Sequence, residues 1–91
     1  MRLALFAALA LTAAPAGAYS DDAWVAFRAD VHAACRALVE EPGDVTVDVN
    51  PFGSERYGAA MLTVTTESFG SERMICIYDK AARTAELTTP F

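Results

Sequence analysis

A chain of 91 residues has material for one small domain. Twelve acidic side chains against seven basic ones give a formal net charge of −5. The cations are scattered among carboxylates, which excludes a phosphate-backbone binder built on clustered Lys and Arg and disfavours anionic membrane surfaces. With one histidine and two cysteines, the repertoire for metal or nucleophilic chemistry is short, and no motif calls for a cofactor.

The start reads as a targeting segment. Met1-Arg2 is a short positive region, residues 3–14 are an unbroken apolar and small-residue run, and Ala16-Gly17-Ala18 places small residues where a signal peptidase reads them. A bilayer span needs about 20 apolar residues, whereas this run breaks at Pro15 and Gly17. The expectation is a cleaved signal over 1–18 and a single exported domain over 19–91, periplasmic or secreted, with no stable membrane anchor. Tyr19 and Ser20 stand where a lipoprotein would carry cysteine. Once Arg2 is gone, twelve acidic residues face six basic ones, a formal charge of −6.

Trp24, Phe27, Val31, Ala34, Cys35 and Leu38 recur at steps of three and four, one stripe of an amphipathic helix predicted over 21–40. Ser20, Asp21 and Asp22 suit its N-cap and first turn, and Pro42-Gly43 forbids continuation. Beyond Gly43 the period changes to two, and strands are predicted over 45–49, 57–66, 73–79 and 84–88. Short turn-rich links favour an antiparallel meander. The fold expected is α+β: one N-terminal helix packed on a four-stranded antiparallel sheet.

The pentapeptide FGSER occurs at 52–56 and again at 69–73, at opposite ends of the strand predicted over 57–66. Some ten residues at about 3.3 Å each separate the two copies by on the order of 30 Å, so Ser54 and Ser71 cannot share a substrate in a monomer. The repeat reads as one turn chemistry used twice: glycine for a positive φ, serine for the local backbone, Glu-Arg leading out into water. Gly53 and Gly58 have phosphate-loop spacing, but Ala59 and Ala60 follow where Lys and Ser or Thr are required.

His32 flanks the apolar stripe, and no nucleophile-elbow pattern brings Ser54, Ser68 or Ser71 to it. Asp21-Asp22 and Glu40-Glu41 adjoin helix ends, where capping and solvation account for them. The expectation is therefore a non-catalytic protein.

The cysteines carry more information. Cys35 lies about 20° from Trp24 on the helix stripe, and Cys76 lies mid-strand, so packing helix on sheet brings them together. An exported small domain favours a Cys35–Cys76 disulfide. The competing arrangement is a metal site of His32, Cys35, Cys76 and a carboxylate.

If Cys76 points at the helix, strand alternation sends Met74, Tyr78, Val45, Val47, Val49, Leu62, Val64, Ala85 and Leu87 with it. Ile75 and Ile77 then face away beside Tyr57 and Met61, rimmed by Thr46, Thr63, Thr65 and Thr88. Such a patch is used or covered: by the tail 89–91, by a second copy in a homodimer, or by a protein partner. The outline is similar to that of small periplasmic inhibitor and assembly-accessory domains, and no shared motif carries a residue role across. The functional expectation is an exported binding module, an enzyme inhibitor or assembly accessory in its most concrete version. The alternative is a small hydrolase or metal-binding protein using His32 with Cys35 and Cys76.

Overall fold

The computed structural model describes residues 20–40 and 42–91. The expected signal segment and its cleavage after Ala18 lie outside the described residues. Among the described residues one helix, α1 (Asp21–Arg36), is followed by four strands, β1 (Asp44–Val49), β2 (Tyr57–Thr66), β3 (Gly70–Asp79) and β4 (Thr84–Leu87). The sheet order is β1-β2-β3-β4 and every neighbouring pair is antiparallel, the meander expected from the short links. The helix heads the α+β domain but not the chain, since it starts at residue 21.

Ser20 caps α1: its Oγ accepts from the Ala23 N–H at 3.1 Å, with Asp21 and Asp22 in the first turn. The helix stops at Arg36, four residues short of the predicted end, well before Pro42. There the backbone tightens, with Leu38 N–H donating to Cys35 O and Val39 N–H to Arg36 O at 3.1 and 3.2 Å. The tighter turn rotates the chain off the helical stripe. Val39 therefore enters the core at 7% exposure, while Leu38, expected inside, stands 37% exposed.

The core lies between α1 and one face of the sheet. Phe27, Val31, Cys35 and Val39 meet Ala60, Leu62, Val64, Met74, Cys76 and Tyr78, with Trp24, Ala34, the three β1 valines, Ala85 and Leu87 packed around them. The alternation of buried and outward residues along β2 and β3 matches the parity set by Cys76. Cys35 and Cys76 form the expected disulfide, both fully buried, with their Cα atoms 5.9 Å apart. No charged residue is buried among the described residues.

Gly58 sits on the same face where the helix comes closest. A Cβ there would lie 2.8 Å from Val31 Cγ2 and 2.9 Å from Phe27 Cζ, so Phe27 and Val31 occupy the space a side chain would take. Gly58→Ala is expected to destabilise the fold by about 1–3 kcal/mol through overpacking, read as a lower urea midpoint at unchanged slope.

The two FGSER copies are not one loop written twice. The first lies wholly between β1 and β2, where Asn50 Oδ1 accepts from the N–H groups of Phe52 and Gly53 and Ser54 Oγ accepts from Tyr57 N–H. Of the second, only Phe69 belongs to the turn. Gly70 already pairs with Thr66, so β3 begins three residues before the predicted start, and Ser71 bonds across the ladder to Thr65 Oγ1 at 2.9 Å. Only the glycine plays the same part in both, with φ of 70° at Gly53 and 74° at Gly70.

The disulfide spans 41 residues of sequence, which corresponds to about 4 kcal/mol in the chain-entropy account. Replacing both cysteines by alanine is expected to remove stability of that order, most of what so small a core supplies. Denaturant unfolding of the variant against the wild type, whose intact mass lacks two hydrogens, checks both the bond and its weight.

Candidate functional site: the helix-free face of the sheet

The register fixes the composition of the outward face row by row. Asp48, Met61, Ile75 and Thr88 adjoin across the four strands, Thr88 N–H donating to Ile75 O and Thr88 Oγ1 accepting from Ile75 N–H. In the next row Asn50 N–H donates to Ala59 O, Ala59 pairs with Ile77 and Ile77 with Glu86. Beyond these, Tyr57 pairs with Asp79 at one end, while Thr46, Thr63 and Arg73, then Asp44, Thr65 and Ser71, make the rows at the other. Met61 and Ile75 are half-buried, and Tyr57 and Ile77 are each 39% exposed. The four outward residues singled out from the sequence thus lie on one face, together with Ala59.

The C-terminal tail does not close over this face. Thr88 and Phe91 both donate backbone N–H groups to β3, Phe91 to Arg73 O at 3.0 Å, so the tail prolongs β4 along the edge. The Phe91 ring lies beside the Arg73 guanidinium, 5.5 Å from centroid to Cζ. Cover by residues 89–91 is replaced by an edge contact because the backbone of β3 still has hydrogen bonds to offer there.

Two shallow concavities open on the face. One of about 620 Å³ is bounded by Asn50, Gly53, Ser54, Tyr57, Ile77 and Glu86, another of about 310 Å³ by Asp48, Asn50, Ala59, Met61 and Ile75. A larger concavity, about 700 Å³, lies at the far end of the sheet between Pro42, Asp44 and the β2–β3 turn with Phe69. Its carboxylates, Asp44, Glu67 and Glu72, are all exposed, and its aromatic wall, Phe69, is 82% exposed. It is a wedge between loops, with no desolvated polar group to read a ligand.

The loop that bounds the first concavity is held from the helix side. Lys80 Nζ donates to Ser54 O at 2.7 Å and to Phe52 O at 3.4 Å, while lying 4.8 Å from the Phe27 ring centroid and 5.6 Å from that of Trp24. Trp24 meets Phe52 edge-on at 4.9 Å, and Arg28 Nη1 donates to Pro51 O. One ammonium thus joins the β3–β4 turn, the first FGSER loop and the start of α1. Sequence periodicity holds no signal for this contact, since it links residues 24, 52 and 80. Lys80→Ala is expected to cost about 1–2 kcal/mol from the lost cation–π and carbonyl contacts, with a shift in the emission of Trp24, the sole tryptophan.

The groups considered for chemistry do not assemble. His32 is exposed on α1, and the oxygens of Ser54 and Ser71 are engaged near opposite ends of β2. The disulfide consumes both thiolates of the competing metal arrangement. Among the described residues no group of three His, Cys, Asp or Glu side chains is placed to hold a metal ion, and no helix is long and apolar enough to cross a membrane.

No family model, no curated protein and no solved structure matches this chain.

Proposed function

We propose that this chain is a small exported binding module, its helix heading the mature chain after cleavage near Ala18, and that it acts through the helix-free face of its sheet. The observation that carries the reading is the cluster of Tyr57, Met61, Ile75 and Ile77 on the face opposite the helix, where Tyr57 and Ile77 are each 39% exposed. Outward strand positions elsewhere on that face hold threonine, serine or charge, so an apolar centre there is surface kept for contact. The buried disulfide agrees with folding in an oxidising compartment. Inhibition of an enzyme or assistance in an assembly are the concrete forms such a module takes, and neither requires a catalytic group in this chain.

The test is Ile75→Asp combined with Ile77→Asp, checked for a native circular dichroism spectrum. The double variant is expected to lose the partner that the wild type captures from the exported fraction, while His32→Ala retains it. A folded Ile75→Asp, Ile77→Asp protein that still captures the same partner would overturn the reading.

A further inference from the structure

Resting on the open face as the working surface, we infer that its occupant is an amphipathic α-helix of a partner protein, carrying Lys or Arg along both flanks of its apolar stripe. Charge and dimensions on the face both lead there. The apolar strip follows β2 and β3, and Asp48 on β1 and Glu86 on β4 stand on either side of it, in the adjacent rows of Met61–Ile75 and Ala59–Ile77. Both carboxylates belong to exposed residues. At about 4.8 Å between strands, β1 and β4 lie some 14 Å apart, which admits a helix about 10–12 Å across. From Tyr57 to Met61 the strip runs about 13 Å, the length of roughly nine helical residues, so anchors at i, i+3 or i+4 and i+7 cover it.

The same sheet already seats a helix, α1, on its other face, so its width and twist accommodate one. A second copy of this chain fits less well. Two mature copies, without Arg2, bring twelve acidic and six basic side chains each, and the flanking carboxylates would gain no cationic rows. Arg73, the one basic residue at an outward position of the four strands, is held beside Phe91 at the end of the strip.

The experiment uses two synthetic helical peptides of about 14 residues with one apolar stripe, flanked by Lys and Arg in the first and by Glu in the second. Binding is read by anisotropy of a labelled peptide at low salt and at about 0.5 M salt. The wild type is expected to take the basic-flanked peptide, more weakly at high salt, and to reject the acidic one. Asp48→Lys with Glu86→Lys is expected to weaken the basic peptide at least about tenfold and to admit the acidic one. Equal affinity of this folded variant for the basic peptide overturns the charge inference and leaves the open face standing. Unchanged peptide binding by a folded Ile75→Asp, Ile77→Asp variant overturns the open face itself. Rejection of both peptides by the wild type overturns the helical occupant. So does a concentration-dependent dimer that the Ile75→Asp, Ile77→Asp variant abolishes, which assigns the face to a second copy.

Discussion

The covalent link between Cys35 and Cys76 restrains the unfolded chain, and it also decides which side of every strand is inside. With Cys76 drawn to the helix, Met74 and Tyr78 follow by alternation. The register then carries the choice across the sheet, from Cys76 to Ala60 and Leu87, from Met74 to Leu62, and from Leu62 to Val47. A slip of one residue in β3 would turn Ile75 and Ile77 inward and carry Cys76 to the wrong face, where it could not reach Cys35. The bond therefore locks register as well as restricting the unfolded chain.

Around that bond the helix is fitted to the sheet by different means along its length. Near its middle it comes so close that Gly58 has to lack a side chain, and Phe27 and Val31 fill the space. Toward its start the contact is mixed, because Trp24 is only half-buried and shares its ring with Phe52 and the Lys80 ammonium. Past its end the tightened turn places Val39 in the core. Apolar close packing at the centre and a wet, charged clamp at the rim suit a domain too small to bury a charge without partners.

Much of this was legible because it follows from period and parity. The stripe from Trp24 to Cys35, the change to alternation after Gly43 and the turn residues between strands specify helix, strands and meander order, and the cysteine positions then assign the faces. What escaped depends on local backbone choices or on long-range contacts. Pro42 bars the helix only beyond Glu41, so nothing in the pattern marks the tightening at residues 37–39 that exchanges Leu38 for Val39. Identical FGSER letters gave different structures because strand pairing reaches Gly70 in one copy, whereas an Asn50-anchored loop holds the other. The Lys80 clamp and the Phe91–Arg73 contact join residues far apart in sequence. Asp48 and Glu86, by contrast, were within reach, since the parity that turns Ile75 and Ile77 outward turns these two outward as well.

The outward face also shows what solvent exposure alone would have selected. Thr46, Thr63, Thr65, Thr84 and Thr88 occupy outward positions, and threonine has the β-branched shape that strands favour without requiring burial. Isoleucine at 75 and 77 offers the same backbone preference and exposes more apolar surface, so strand propensity does not explain it. These two residues fall where the central strands adjoin, opposite Met61 and Ala59, while carboxylates take the edge strands on either side. Carboxylates at the edges oppose strand-to-strand association of copies. The centre is left as the one part of the face where desolvation by an incoming surface is favourable, and the choice of isoleucine over threonine there is the feature that sheet formation by itself does not require.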